Sequence, residues 1–303
     1  GYIKRTPARL YRSQHRGGKG IKAMETKEQD FVEHFYIAHT HHYILCFTNI
    51  GKVHWLKVYE IPEGTRVSKG KALVNLLQLE DGESISAMVP VDDFAGARCL
   101  VMATKRGLVK KTPLGAFSNP RTGGIRAISL DDDDELIVVK LTEASHHIFL
   151  GTAGGKAIQF REEEVRPMGR SARGVIGIDL EAGDALVAME VVNEAATMLT
   201  VCENGYGKRT PIDEYRVQGR GGKGLINIKV TERNGRVVGI KQVTEVDELM
   251  IMTTAGNLIR LPVRELSVIS RNTQGVRLIA LNDNDLVASV ASIDQEAEVP
   301  DVI

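Results

Sequence analysis

The chain has 303 residues, of which 43% are hydrophobic and 26% are charged. Lys plus Arg equals Asp plus Glu at 39 each, so the total charge does not indicate a nucleic-acid partner, and any basic surface must be local. No signal peptide is present and no apolar run reaches the ~20 residues that cross a membrane, which predicts a soluble, cytoplasmic protein. Cys46, Cys99 and Cys202 lack C-x-x-C spacing, and we expect them to be buried, reduced thiols.

The chain begins on a glycine followed by a short strand of alternating apolar and basic residues, Gly1-Tyr2-Ile3-Lys4-Arg5-Thr6-Pro7. This start falls in mid-pattern, so we expect a piece of a longer protein. The pattern recurs roughly every 50 residues, which identifies an internal repeat. The six repeat glycines are Gly1, Gly51, Gly107, Gly155, Gly205 and Gly256. In the first, third and fifth repeats, two cations precede Thr-Pro; they are Lys4, Arg5, Lys110, Lys111, Lys208 and Arg209.

An apolar run rich in β-forming residues precedes every repeat glycine except the first. These runs cover residues 43–48, 99–104, 147–152, 198–202 and 249–254. Each run, the glycine turn and the strand after it together predict a β-hairpin. The first repeat lacks its leading strand. Either that strand lies upstream of this chain, or the C-terminal run 285–291 takes its place.

A cation-rich loop leads to a second glycine in each repeat, about 19 residues after the first. These second glycines are Gly20, Gly70, Gly124, Gly174, Gly224 and Gly275. The recurrent arginines of the loops are Arg16, Arg66, Arg121, Arg170, Arg220 and Arg271, and the cations directly before the glycine are Lys19, Lys69, Arg173 and Lys223. Another alternating strand, a polar turn and one more strand follow.

Each repeat therefore contains about four short strands, and no helical period competes with them. Six such units predict an all-β fold, a six-bladed propeller-like ring or β-pinwheel, because one four-stranded unit cannot bury its own faces. We expect this domain to span residues 1–293. A short acidic tail, residues 294–303, should follow it. Cations at fixed repeat positions should line one surface, so a neutral chain can carry a basic rim.

The repeated Arg and Lys residues beside glycines indicate phosphate recognition, because charges that only protect strand edges have no reason to keep one offset. Cations around a curved rim could bend DNA without reading bases. The sequence Gly-Gly-Lys-Gly is not a P-loop, since neither Ser nor Thr follows Lys19. His39, His41, His42 and the acidic run 131–134 could hold a metal, but a polar strand start and a solvated turn explain them better. No nucleophile–base pair is found, so we expect neither a catalytic site nor a metal site.

The loop Gln14-His15-Arg16-Gly17-Gly18-Lys19-Gly20 resembles the gyrase A box, Q-R-R-G-G-K-G, with His15 at the second position. A degenerate copy follows as Gln218-Gly219-Arg220-Gly221-Gly222-Lys223-Gly224. Together with the six repeats, which cover the whole chain, the box makes the sequence similar to the C-terminal DNA-wrapping domain of bacterial DNA gyrase A.

That resemblance implies a six-bladed β-pinwheel whose rim wraps duplex DNA with positive handedness. The wrapped DNA would be presented to the N-terminal strand-passage core of gyrase A for ATP-dependent negative supercoiling. The implied partners are this core and gyrase B, in a heterotetramer associated with the nucleoid, while the isolated domain should be monomeric. The DNA-cleaving tyrosine, ATP and Mg²⁺ would lie outside this chain, so no cofactor is expected in it.

The resemblance implies that Arg16 and Lys19 clamp phosphates at the end of the wrapped DNA. Gly17, Gly18 and Gly20 would permit close backbone approach, with Gln14 and His15 completing the box. We expect eight further cations to follow the DNA backbone around the rim: Arg66, Lys69, Arg121, Arg170, Arg173, Arg220, Lys223 and Arg271. The six cations before Thr-Pro are further candidates for phosphate contacts, although some of them could instead protect a strand edge from pairing with another chain.

Two alternatives remain open. The corresponding C-terminal domain of topoisomerase IV generally lacks an intact box and often has fewer blades. A protein-interaction propeller would use its cations only to keep strand edges soluble, and it would show no salt-sensitive DNA affinity.

Overall fold

The structure is a computed structural model that describes residues 1–6, 38–65, 68–143, 145–255, 257–282 and 284–293. Short antiparallel strands and single turns of 3-10 helix make up its regular structure. The strands, numbered in chain order, are β1 Tyr2–Ile3, β2 Tyr43–Thr48, β3 Lys52–Lys57, β4 Lys71–Ala72, β5 Ile85–Val91, β6 Cys99–Thr104, β7 Leu108–Pro113, β8 Ile125–Arg126, β9 Leu136–Thr142, β10 His147–Thr152, β11 Lys156–Arg161, β12 Val175–Ile176, β13 Leu186–Val191, β14 Thr197–Cys202, β15 Tyr206–Pro211, β16 Leu225–Ile226, β17 Val237–Val243, β18 Glu248–Thr253, β19 Leu258–Pro262, β20 Val276–Arg277 and β21 Val287–Ile293.

The 3-10 turns follow the second strand of each hairpin and, once, the strand β4. They cover Val58–Glu60, Leu73–Asn75, Leu114–Phe117, Glu162–Glu164, Ile212–Glu214 and Val263–Glu265. Among the residues that the structure describes, no helix is long and apolar enough to pass through a membrane.

Each blade is built around one of the predicted hairpins, which are confirmed. The pairs β2–β3, β6–β7, β10–β11, β14–β15 and β18–β19 are antiparallel neighbours. Gly51 at the first of these turns has φ +77°, and a Cβ there would meet the Ile128 carbonyl oxygen, so only glycine fits the turn without strain. The strand orders are β5-β2-β3-β8, β9-β6-β7-β12, β13-β10-β11-β16, β17-β14-β15-β20 and β21-β18-β19.

The short strand at one edge of each four-stranded blade comes from the following repeat. Strand β8 lies after Gly124, in the third repeat, yet it pairs with β3 of the second, Ile125 opposite Val53. The same exchange joins β12 to β7, β16 to β11, β20 to β15 and β4 to β1. Successive repeats are therefore held together by backbone hydrogen bonds as well as by side chains.

The opposite edge of each blade faces the middle of the arrangement. The six- or seven-residue strands β5, β9, β13, β17 and β21 contact one another in this order, so they form the inner layer. The two-residue exchanged strands must then lie at the outer edge. The hydrophobic cores lie between neighbouring blades, as Phe47 of one blade shows by packing edge-on, at 6.1 Å between ring centroids, against Phe117 of the next. Burying such a side chain stabilises the fold by about 1.5–3 kcal/mol.

The prediction of six four-stranded blades is wrong. The described residues form five blades, four of them four-stranded and one three-stranded, together with a separate two-stranded sheet of β1 and β4. We predicted one blade for each repeat glycine, but a blade also needs the strand that leads into that glycine, and the first repeat glycine is residue 1. Before the leading strand of the second repeat, which begins at Tyr43, the structure describes only residues 1–6 and 38–42, and the segment 7–37 lies outside the described residues.

The alternative that the C-terminal run replaces the missing leading strand is also wrong. Strand β21 pairs with β18 from Glu248 opposite Ile293 to Thr253 opposite Val287, so it is the inner strand of the fifth blade. The predicted acidic tail, residues 294–303, lies outside the described residues, and the domain boundary at 293 stays a prediction.

The expectation of buried thiols is confirmed for Cys46 and Cys202, whereas Cys99 is half-buried. All three are free cysteines. Burial raises the pKa of the Cys46 and Cys202 thiols to about 12, so neither forms an appreciable amount of thiolate at neutral pH.

Candidate nucleic-acid interface

Five of the cation-rich loops fall among the described residues, and they lie on the outer rim of the molecule. Each of these five leads directly into an exchanged strand at the outer edge of a sheet. We call the described segments rim loops: 65–70 without 66–67, 118–124, 169–174, 218–224 and 270–275. The sequence prediction that periodic cations share one surface follows from this topology. We call their described cations the basic rim: Lys69, Arg121, Arg170, Arg173, Arg220, Lys223 and Arg271.

Arg220 and Arg271 occupy equivalent places and are held in the same way. The backbone N–H of Arg220 donates to Glu164 Oε2 at 2.8 Å, and that of Arg271 donates to Glu214 Oε2 at 3.0 Å. One guanidinium nitrogen of each donates to a carbonyl oxygen of the preceding exchanged strand. Arg220 donates to Ile176 of β12 at 2.8 Å, and Arg271 donates to Ile226 of β16 at 3.1 Å.

Those contacts use only part of each guanidinium. Arg220 donates a second hydrogen bond, from Nε, to the Glu164 carbonyl oxygen at 3.2 Å. Since an arginine side chain carries five N–H donors in a fixed plane, both residues keep donors that have no acceptor among the described residues. A guanidinium whose plane is fixed by neutral carbonyls retains its full charge and is oriented to bind a phosphate.

The other cations of the basic rim are less constrained. Arg121 and Lys223 are exposed, and in the described part of the chain neither side chain makes an ion pair. Arg170 is half-buried, and Lys69 places its ammonium 3.9 Å from the centre of the Tyr2 ring, a cation–π contact. Arg173 differs from these, because its guanidinium lies 2.5 Å from Asp131 Oδ2.

We expect the substitution Asp131→Asn to raise DNA affinity about 2–10-fold, since it frees Arg173 and removes an anion beside the phosphates. Both side chains are exposed, 58% for Arg173 and 38% for Asp131, so breaking their ion pair costs little stability. Fluorescence anisotropy of a labelled duplex at fixed salt measures the change. The control is Asp133→Asn on the same turn, where the carboxylate faces Arg106 at 3.7 Å instead. An equal gain in both variants would mean that total charge, and not Arg173, sets the affinity.

The predicted box, Gln14 to Gly20, and the predicted contact Arg66 lie outside the described residues. The degenerate copy is described and lies against the fourth repeat. Its Gly221 N–H donates to the Gly177 carbonyl oxygen at 2.7 Å. Gly224 has φ +71°, and a Cβ there would lie 2.5 Å from the Ala157 carbonyl oxygen, so the tight approach to the neighbouring strand requires glycine.

The cations before Thr-Pro lie mostly inside the protein. Lys110, Lys111, Lys208 and Arg209 are at most 7% exposed, and Lys4 and Arg5 are half-buried. Their polar groups form hydrogen bonds to the following repeat. Arg209, for example, donates from Nε and Nη2 to the Leu266 carbonyl oxygen at 3.0 and 2.8 Å. Lys111 donates to the carbonyl oxygen and the carboxylate of Glu162 at 3.1 and 3.2 Å. Lys110, Lys111, Lys208 and Arg209 are too deeply buried to reach a phosphate, so they do not form part of the basic rim. The prediction for Lys4 and Arg5, which are partly exposed, stays a prediction.

The sequence analysis missed two arginines that lie in the exchanged strands. Arg126 and Arg277 are exposed and are the second residues of β8 and β20. Arg277 Nη2 donates to Tyr206 Oη at 3.2 Å, and hydrogen bonds from Arg233 and Arg277 lower the pKa of the Tyr206 phenol. Their common position, two residues after the second glycine, was the available signal, but only three of the six repeats carry a cation there, Lys22 being the third.

The two candidate metal sites have ordinary explanations. His39 and His42 pack edge-on with 5.0 Å between ring centroids, and Asp134 accepts the backbone N–H groups of Arg106 and Glu135 in a turn. Within the described ranges no group of three His, Cys, Asp or Glu side chains could hold a metal ion.

Comparison with known proteins identifies the family. The family described as DNA gyrase C-terminal domain, beta-propeller, matches six segments, residues 1–39, 42–92, 100–143, 146–193, 198–244 and 247–294. The chain is 46% identical over 298 residues to the gyrase A protein of Salmonella typhimurium and 48% identical over 300 residues to that of Staphylococcus aureus. Each match covers 98% of this chain but 34% of the relative, so the chain spans about a third of these curated relatives.

Two solved structures share the fold over nearly the whole chain. The C-terminal domain of DNA topoisomerase IV aligns with a TM-score of 0.85 at 26% identity, covering 98% of this chain and 92% of that one. The DNA gyrase A C-terminal domain aligns with a TM-score of 0.75 at 26% identity, covering 97% of both. The resemblance indicated by the sequence is therefore confirmed: the chain belongs to the family of DNA gyrase C-terminal β-propeller domains.

Proposed function

We propose that this chain binds duplex DNA along its basic rim and wraps it with positive handedness. The observation that carries the proposal is the repetition of one arrangement, a cation-bearing loop that leads into an outer strand, from blade to blade around the outer edge. Acidic residues lie mainly in the other turns, so a chain of zero formal net charge still presents a basic band.

The chemistry of the rim favours binding to the DNA backbone. Arginines anchored through carbonyl oxygens, such as Arg220 and Arg271, offer fixed donors to phosphate oxygens. Each cation that neutralises a phosphate releases counterions, so the affinity should fall steeply with salt. A convex row of such contacts favours bent DNA, and it does not read base sequence.

The wrapped segment would be passed to the strand-passage core of a gyrase. The identity of 46–48% with gyrase A proteins over 98% of the chain supports this role. In the complete enzyme the partners would be the N-terminal part of gyrase A and the gyrase B protein, on the nucleoid. ATP and Mg²⁺ would act at sites outside this chain, and Arg16 and Lys19 of the box would clamp the end of the wrapped DNA.

Ligation of a nicked circular DNA in the presence of increasing amounts of the protein tests the proposal. Wrapping with positive handedness should shift the topoisomers, after deproteinisation, towards positive supercoils. The control is the variant Arg16→Ala/Lys19→Ala, which we expect to lose the shift to a greater extent than it loses binding. If binding and the shift fell in parallel, the box would be one more phosphate contact.

A second candidate function is DNA binding with weak wrapping, as expected for a topoisomerase IV domain. The TM-score of 0.85 with such a domain favours it, while the identity with gyrase A proteins over 98% of the chain favours gyrase. Tight binding without a topoisomer shift would support the second candidate. Absence of binding at low salt would contradict both and leave a protein-interaction propeller.

A further inference from the structure

Three lysines that the basic rim does not include donate hydrogen bonds to the rim loops. Lys110 Nζ donates to the Arg170 carbonyl oxygen at 2.5 Å and to the Ala127 carbonyl oxygen at 2.6 Å. Lys208 Nζ donates to the carbonyl oxygens of Arg271 and Ser270 at 2.5 and 2.6 Å.

Lys4 Nζ repeats the arrangement in the first repeat, donating to the carbonyl oxygens of Thr65 and Ser68 at 2.9 Å each. Lys110 and Lys208 lie in the second hairpin strands of the third and fifth repeats, β7 and β15, and Lys4 directly follows β1 in the first repeat. The acceptors include the rim loop of the following, even-numbered repeat. Two of the acceptors belong to Arg170 and Arg271, which the proposed function places on DNA.

The burial of Lys110 and Lys208 excludes a direct contact of these two lysines with DNA. Lys110 and Lys208 are 0% exposed, and burial lowers the pKa of each to about 8, so both remain mainly protonated at neutral pH. A buried ammonium is retained only where it is well satisfied, because leaving water is costly. Both acceptors of Lys208 belong to the rim loop 270–275, whereas Lys110 has one acceptor in the rim loop 169–174 and one, Ala127, in its own repeat. Each ammonium is thereby satisfied, and the rim loop is fixed in return.

The even-numbered repeats have no lysine at the equivalent position. The equivalent residues are His54, Ile158 and Ile259. His54 Nε2 lies 3.1 Å from Glu83 Oε1 of its own repeat, and Ile158 packs against Gly222 of the fifth-repeat rim loop. The lysines therefore act on every second rim loop only, which a requirement common to all blades would not explain.

We propose that Lys110 and Lys208 are positioning residues for DNA binding, each holding the rim loop of the next repeat in the conformation that presents its arginine, Arg170 or Arg271, to a phosphate. This inference rests on the proposed function. A loop fixed before binding need not lose backbone freedom when DNA arrives, and this preserves affinity without adding a contact.

The test compares Lys208→Met with Arg209→Met. Both replace a buried cation of β15 that contacts the sixth repeat, but Arg209 contacts Leu266, just after the 3-10 turn, and not the rim loop. We expect both variants to lower the free energy of unfolding measured in urea. Only Lys208→Met should lower the affinity for a labelled duplex, by about 5–10-fold at 0.1 M salt, and reduce the log–log salt slope by about 0.9, the loss of one phosphate contact.

The slope is the decisive readout, because Lys208 itself is buried and touches no phosphate. Faster amide hydrogen exchange in residues 270–275 of Lys208→Met, but not of Arg209→Met, should accompany it. If Lys208→Met does not fold, Lys110→Met with exchange read at 169–174 replaces it. Wild-type slope and affinity in a folded lysine variant, or an equal loss in Arg209→Met, would overturn the inference. Failure of the wild-type chain to bind DNA would instead overturn the proposed function.

Discussion

The triple variant Arg170→Ala/Arg220→Ala/Arg271→Ala should bind duplex DNA about 10²–10³-fold more weakly than the wild type at 0.1 M salt, with a log–log salt slope smaller by about 2.7. The three arginines lie in successive rim loops, and two of them are anchored through carbonyl oxygens of the neighbouring outer strand. Each lost phosphate contact removes the release of about 0.9 counterion, and the effects of distant sites add. Fluorescence anisotropy titrations at four or more salt concentrations measure both quantities.

A control with the same loss of charge separates the rim from total charge. Arg98→Ala/Lys105→Ala/Lys140→Ala also removes three cations, but their side chains pair with carboxylates away from the rim loops: Arg98 with Asp92, Lys105 with Glu135 and Lys140 with Glu190. We expect its salt slope to stay within about 0.5 of the wild type. Equal losses in the two triple variants would contradict the assignment of the interface to the rim.

Glu162→Ala should lower the free energy of unfolding by about 3–5 kcal/mol. Glu162 is 1% exposed, and its carboxylate accepts hydrogen bonds from Lys111 Nζ at 3.2 Å and from Thr142 Oγ1 at 2.6 Å. Removing it leaves an ammonium and a hydroxyl buried with too few acceptors, at the contact between the third and fourth repeats. Urea denaturation followed by circular dichroism measures the change.

Two further variants make this prediction specific. Glu135→Ala removes a carboxylate whose partner Lys105 lies 3.7 Å away with both side chains about half exposed, and it should cost less than about 1 kcal/mol. Lys111→Met/Glu162→Leu removes both buried charges, and it should recover most of the loss, because no group is left unpaired. A single-variant cost below about 1 kcal/mol for Glu162→Ala would show that water reaches the pair.

The sequence predicted the features that depend on local pattern. A glycine between two β-rich runs was sufficient for the hairpin at Gly51, because the turn requires positive φ there. Arg170, Arg220 and Arg271 could be placed on one surface because their offsets from the second glycine are equal. Periodicity of this kind describes the chain over one strand or one turn.

The features that were mispredicted depend on distant neighbours. Two residues of β8 cannot specify that they pair with β3 of the preceding repeat. The alternation around Lys110 and Lys208 is typical of a strand with one solvated face, yet the following repeat covers that face and buries both lysines. The blade count failed for a related reason, since a repeat glycine marks a turn and not a complete sheet.

Because the outer strand of each four-stranded blade belongs to the next repeat, the boundaries of the sequence repeat and of the structural unit are offset. During synthesis, the blade containing β7 is complete only after Val175 and Ile176 have emerged, well into the fourth repeat. A fragment that ends at a sequence boundary, such as residue 143, leaves the N–H and C=O groups of β7 unpaired at an open edge that invites association between chains. Extending such a fragment to Ile176 completes the blade of β7 but leaves the hairpin of β10 and β11 without β13 and β16. Every fragment that ends between two repeats therefore carries at least one blade with an open edge.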